Sequence, residues 1–242
     1  MDDGPPYPPR PERRPEQSPF EPLPLSPEQQ RHVDLMRHIA QEVTTRAGDA
    51  FVLKGGTALL LAYGLPRFST DLDFDGRRTS IDLSEALQAG SQAAGEHVRN
   101  LRTAKDTWAV RRHVLHYRDD AMKPLKVEVS YRQAQQIKQA DLTTIDGICT
   151  YRLEKLASLK VDALVNRTKA RDIFDTSYLL ATYPEAITDT DLQRIDQLID
   201  IIGLNDLEAT MLDDDILNSF DLTAIAVQLV DNTLRLKRER GV

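Results

Sequence analysis

Residues 51–76, FVLKGGTALLLAYGLPRFSTDLDFDG, limit what this chain can fold into more than any other stretch of it. An apolar run ends in two glycines, a helix-like run follows, and aspartates then occupy every second position at 71, 73 and 75. The first run reads as a short buried strand, Gly55 and Gly56 as its turn, and TALLLAY as a helix with Thr57 as N-cap, Gly64 as stop signal and Pro66 just beyond. The alternation marks STDLDFDG as a strand, so Asp71 and Asp73 share one face. Two carboxylates side by side without a counter-charge repel each other. Either they face water or something positive lies between them.

The rest of the chain divides into two halves behind a tail. Residues 1–25 hold most of the 13 prolines and read as a disordered or polyproline-like tail. SPEQQRHVDLMRHIAQEVTTRAG then has the form of a helix, capped by Ser26, with Pro27 at its first position and Gln29 at the capping-box position. IDLSEALQAGSQAAGEHVRNL reads as another helix, and TWAVRRHVLHYRD and PLKVEVSYR as strands. From residue 151 onward the apolar period is helical throughout. The expected fold is α/β (α+β), with a mixed sheet and helices over residues 26–147 and an α-helical second half over residues 148–242.

Composition removes several function classes. The single cysteine, Cys149, excludes an internal disulfide framework and a multi-cysteine zinc site, and it fits a reducing compartment. No apolar run approaches the roughly 18 residues needed to span a bilayer, and the charged N-terminus lacks the apolar segment of a secretory signal. A cytoplasmic location without membrane partners is expected. A formal net charge of −7 argues at first against a nucleic-acid partner. Its distribution is uneven: residues 99–171 carry 16 Lys or Arg against 8 Asp or Glu, and residues 172–242 carry 5 against 15. Such a basic middle is compatible with a phosphate-binding face, though solvated helix faces would give the same counts.

A chemical purpose for the aspartates follows from their order. Backbone N–H groups at the start of a helix attract phosphate, and glycine lets the chain approach it closely. The next strand offers Asp71 and Asp73, and a later one offers Glu128 between apolar neighbours. Three carboxylates beside a phosphate cradle form an oxygen-lined site suited to Mg²⁺ or Mn²⁺. Two such ions, about 3.5–4 Å apart, activate an attacking hydroxyl and stabilise a leaving pyrophosphate. There is no Gly-x-x-x-x-Gly-Lys-Ser/Thr loop, kinase motif set or His-Glu-x-x-His.

LKGGTALLLAYGLPRFSTDLDF together with LEKLASLKVDALVNRTKARDIFD resembles the AbiEii/AbiGii-type nucleotidyltransferase toxins, of the DNA polymerase β-like nucleotidyltransferase superfamily, over about residues 30–180. The resemblance implies a toxin of a toxin–antitoxin or phage-defence pair that transfers a nucleotide from an NTP to an RNA acceptor, the tRNA 3′ end in characterised relatives. It implies a cognate antitoxin as partner. Carried onto this chain, it places the nucleotide phosphates at Gly55, Gly56 and Thr57 and the metals at Asp71 and Asp73, preceded by Arg67 and Ser69. Glu128 takes the third-carboxylate position, and Lys160 and Asp172 match the lysine and aspartate of the C-terminal motif.

The residues themselves leave alternatives open. Lys160 either balances triphosphate charge or lies at the surface on its alkyl stem. Asp172 either pairs with Lys160 or Arg171, helps select the base, or caps its helix, and Asp175 is read as a continuation of an acidic face. Lys54 either contacts phosphate or ends its strand. Ser69 either bonds the metal-site loop or is a modifiable switch. Arg99, Arg102, Lys105, Arg111 and Arg112 are candidates for holding RNA, with Arg118 and Lys123 nearby, and Trp108 is assigned to the core. Two rival functions remain: a nucleotidyltransferase acting on a protein or small molecule, and a non-catalytic NTP- or partner-binding protein on the same fold.

Overall fold

A computed structural model describes residues 20–21, 25–77, 79–118, 123–212, 217 and 219–242. The Pro-rich tail expected over residues 1–25 lies for the most part outside the described residues. Phe20 is described: it is buried edge-on against Phe174 and Tyr178, with ring centroids 5.4 and 5.6 Å away. Burying a side chain of that size contributes about 1.5–3 kcal/mol, enough to fix where the chain enters the domain.

Helix α1 (Pro27–Ala47) starts as its sequence requires. The Ser26 hydroxyl accepts from the Gln29 amide and the Gln29 side chain accepts from the Ser26 amide, a complete capping box. Strand β1 (Phe51–Lys54) runs directly into α2 (Gly55–Tyr63), which Gly64 ends in a left-handed conformation. Next come β2 (Asp71–Gly76), α3 (Ser84–Ala93), β3 (Asn100–Asp106), β4 (Val110–His116) and β5 (Leu125–Ser130). A hairpin of β6 (Leu142–Ile145) and β7 (Ile148–Tyr151) follows. The strands form one mixed seven-stranded sheet in the order β3-β4-β5-β2-β1-β7-β6.

Helices α4 (Leu153–Arg167), α5 (Ala170–Thr182), α6 (Asp189–Ile202), α7 (Leu204–Met211) and α8 (Leu222–Arg240) make up the rest. The sheet continues to Tyr151, beyond the division at residue 147, because β7 pairs with β1. One hydrophobic core runs through both halves. Polar ties reinforce the join: the Tyr178 and Tyr183 hydroxyls, from the helical half, both donate to the Tyr63 carbonyl at the end of α2, each at 3.1 Å. Among the described residues no helix is long and apolar enough to cross a membrane.

Three strands were not anticipated from sequence. β3 lies within NLRTAKD, which has one large apolar residue and no alternation, because it is an edge strand exposed along nearly its whole length. β6 and β7 flank Asp146-Gly147, a turn pair with positive φ at both residues, so a hairpin signal was present there. The helix read over residues 81–101 is shorter in the structure: it ends at Ala93, just before Gly95 with its positive φ, and β3 begins at Asn100.

Candidate active site

The register of the sheet aligns five charged residues in one row. Lys54 on β1 lies opposite Asp73 on β2, Asp73 opposite Glu128 on β5, Glu128 opposite Arg112 on β4, and Arg112 opposite Lys105 on β3. Residues paired in register point to the same face. One step along, Asp71, Lys126, Val114 and Arg102 form a parallel row on that face. The opposite face carries Leu72, Phe74, Val127 and Val129, all buried. The alternation Asp-Leu-Asp-Phe therefore does what its period demands: carboxylates to one side, core to the other.

Asp75, the third alternating aspartate, serves a different end. It is buried, with the Lys54 Nζ 2.5 Å from one oxygen and the Tyr151 hydroxyl donating to the other at 2.9 Å. Its charge is thus spent inside the protein. Burial raises the Tyr151 pKa, and the neighbouring carboxylate raises it further, so that hydroxyl remains a donor. Among the described residues, Asp71 and Asp73 have no such partner. Burial pushes the Asp73 carboxyl above its ordinary range, and repulsion from Asp71 and Glu128 adds to this, against smaller opposing effects of Lys54 and Lys160. A site that holds carboxylates together against their own repulsion suits a hard cation.

A cavity of about 310 Å³ opens between the Lys54–Asp73 end of this row and α4, lined among others by Lys54, Gly55, Asp73, Lys160, Ala163 and Arg167. Its volume is at the lower end for small-molecule sites. Gly55 faces it with φ at +76°, a conformation that favours glycine. Gly56 is glycine for another reason. A Cβ there would lie 2.3 Å from the Arg67 Nη2, and Arg67 cannot retreat because Asp175 holds it by two bonds of 2.6 and 2.7 Å. Gly56→Ala is therefore expected to cost about 1–3 kcal/mol of stability, measurable by denaturant unfolding.

Asp175 is the centre of the site's support. It is fully buried and binds the Arg67 guanidinium in bidentate fashion and the Lys160 Nζ at 2.5 Å. The expectation that Asp175 continues an acidic face is overturned. Its signal lay in ARDIFDTSYLL: α5 is buried from residue 172 to residue 180, and a charge within such a helix must find a partner. Asp172 neither pairs with Lys160 nor caps α5. It is buried and accepts two bonds from Arg167, at 2.6 and 2.8 Å, which turns that guanidinium toward the cavity wall.

Thr57 does not cap α2, whose N-cap is Lys54. Its hydroxyl, one turn inside, donates to the Asp71 carbonyl at 2.5 Å and so accepts from the Ser69 hydroxyl at 2.7 Å. The pair fixes the backbone that enters the carboxylate strand. Of the candidate RNA contacts, Arg102, Lys105 and Arg112 are on the carboxylate face. Arg102 and Lys105, three apart, would point to opposite faces of a regular strand. A register shift between Thr103 and Lys105 puts them on one face. Arg111 points the other way and is engaged by Asp106 and the Ile81 carbonyl. Arg99 precedes β3, and its amide donates to the His116 carbonyl. Trp108 is not in the core: it is 84 % exposed between β3 and β4.

Glu128 shares the row but not a common centre. Arg112 donates to its Oε2 from Nε at 2.8 Å and from Nη2 at 2.5 Å. Among the described residues no three His, Cys, Asp or Glu side chains converge as a ready-made metal cage.

A mixed sheet with paired aspartates after a strand–glycine–helix turn, walled by a lysine-bearing helix, defines a nucleotidyltransferase. The chain belongs to the AbiEii nucleotidyltransferase toxin family, described as toxins of type IV toxin–antitoxin systems, which it matches over residues 39–225. It is similar to the crystal structure of JHP933 from Helicobacter pylori, with a TM-score of 0.77 and 31 % identity over 89 % of this chain and 94 % of that one. A putative nucleotidyltransferase from H. pylori gives a TM-score of 0.76 and 31 % identity over 89 % of this chain and 97 % of that one. MenT4, a nucleotidyltransferase toxin from Mycobacterium tuberculosis H37Rv, shares the fold at a TM-score of 0.57 and 13 % identity, over 88 % of this chain and 86 % of that one. A comparison with curated proteins gives no match.

Proposed function

We propose that this toxin transfers a nucleoside monophosphate from an NTP to the 3′ end of an RNA acceptor, tRNA first among the candidates, and that a cognate antitoxin opposes it. The observation that carries the reading is the charged row itself: a cation, two carboxylates and two further cations in register across five strands, with a cavity between its Lys54–Asp73 end and α4. The cationic end of the row faces outward, where a polyanionic acceptor would lie. An acceptor without phosphates would have no use for it.

Asp71 and Asp73 are the residues that would hold Mg²⁺ or Mn²⁺, since Lys54 and Lys160 offset their repulsion only in part. Bound there, the metal supplies Lewis-acid activation of the phosphoryl oxygens. Lys160, held toward the cavity by Asp175, and Lys54, across the row, meet the negative charge of the triphosphate. Gly55 presents backbone rather than a side chain to it. The acceptor hydroxyl oxygen forms the new bond to the α-phosphorus as the bond to pyrophosphate breaks, and its proton passes to the Glu128 carboxylate. Ser69 lies beside the start of the carboxylate strand, so a phosphate added there would set charge against Asp71 and oppose NTP binding.

The test is a transfer assay with Mg²⁺, total tRNA and each α-labelled NTP in turn, on the protein and on Asp71→Ala. Label in the tRNA with the unsubstituted protein alone is the expected result, and it names the nucleotide. Equal labelling by Asp71→Ala would refute the mechanism. NTP binding without any tRNA labelling would move the acceptor to a protein or small molecule.

A further inference from the structure

The bond between Arg112 and Glu128 lies where two parts of the reaction meet. Glu128 is paired in register with Asp73 on one side and Arg112 on the other. Its Oε2 takes both bonds from Arg112, whose strand lies on the opposite side of β5 from the aspartates. The side chains of this ion pair are 43 and 30 % exposed, and so exposed a pair adds little to stability. Arg112 has Lys105 as its outer neighbour and Arg102 on the same face, the end of the row that meets a polyanion. A guanidinium binds a phosphate in the same two-point manner as a carboxylate.

We infer that Arg112 couples the acceptor to the metal site: while no acceptor is bound it keeps Glu128 from the aspartate pair, and a phosphodiester of the acceptor draws it off and completes the carboxylate set. This rests on the polyanionic acceptor proposed above and adds an order of events to it. The coupling has a use. Water is always present at the NTP, and a third carboxylate withheld until the acceptor arrives limits wasteful hydrolysis. Arg112 acts here through Glu128, as a positioning residue.

Metal binding gives a readout independent of turnover. Mn²⁺ affinity would be measured by electron paramagnetic resonance with a non-hydrolysable NTP bound, in the protein, Arg112→Ala, Glu128→Gln and the double variant. Arg112→Ala is expected to tighten Mn²⁺ about 5-fold or more, and the gain to vanish when Glu128 is Gln. An equal gain in both backgrounds would mean only that a positive charge had been removed, and it would overturn the coupling, as would no gain at all. A single-stranded RNA ending in a 3′-deoxynucleotide should tighten Mn²⁺ in the unsubstituted protein but not in Arg112→Ala. By reciprocity, Mn²⁺ should tighten that RNA by the same factor. RNA that binds, by fluorescence anisotropy, without changing Mn²⁺ affinity also overturns the coupling. RNA that fails to bind refutes instead the acceptor proposed above, and the Glu128 comparison still decides whether Arg112 withholds the carboxylate.

Discussion

Asp73→Asn is expected to lower nucleotidyl transfer by about 10³-fold or more while leaving the melting temperature unchanged or higher. The two effects have one cause. Burial and the nearby Asp71 and Glu128 carboxylates hold the Asp73 pKa above its ordinary value. A carboxyl whose folded pKa exceeds its unfolded one contributes stability below the unfolded value, near 3.9, and that contribution is lost as pH rises through the folded pKa. At neutral pH Asp73 is therefore a burden on the metal-free protein, and the neutral amide relieves it. The same replacement removes a ligand from the metal, and with it several kcal/mol of transition-state stabilisation. Thermal unfolding with and without Mg²⁺ checks the argument: the ion should raise the melting temperature of the unsubstituted protein more than that of Asp73→Asn. Loss of stability in the metal-free variant would show that Asp73 has a structural role instead.

Asp175→Ala is expected to be the most destabilising single change in the site, at about 3–5 kcal/mol, or a fall of about 10 °C or more in melting temperature. It would leave the Arg67 guanidinium and the Lys160 ammonium, both buried, without their anion. Burial alone would raise the Asp175 pKa, but Arg67 and Lys160 together outweigh it and hold the carboxyl below the ordinary range. The sign is opposite to that at Asp73. Stability from this group is present above the unfolded pKa, near 3.9, and is lost as pH falls through the folded one. The stability gap between the protein and Asp175→Asn should be constant from neutral pH down to about 4 and narrow below it. A gap independent of pH in that range would place the cost in packing rather than charge. Lys160 loses its anchor in either variant, so transfer should fall in both under conditions where they remain folded.

The two predictions also mark how far the sequence could be read. Asp71 and Asp73 were legible because a strand has a period of two residues, and carboxylates alternating with Leu72 and Phe74 can only be presented together on one face. α1 was legible to its first residue because a capping box is a local hydrogen-bonding pattern. β3 was not, since an edge strand that buries almost nothing has no apolar period to betray it. Trp108 was misplaced by the general tendency of aromatic residues to be buried, which says nothing of a residue in a turn between two strands.

By itself the sequence determined the glycine turn, the carboxylate strand, the helical second half and, through two motifs read together, the family. Each of these rests on interactions between residues close along the chain or on the period of one element. Only the tertiary structure decided the partners. It brought Asp175 to Arg67 across 108 residues, gave Asp172 to Arg167, turned Asp75 inward to Lys54, and set Arg112 against Glu128. Charge pairing is blind to distance along the chain. Which cation meets which carboxylate follows from strand register and helix packing, and neither is written in any single segment.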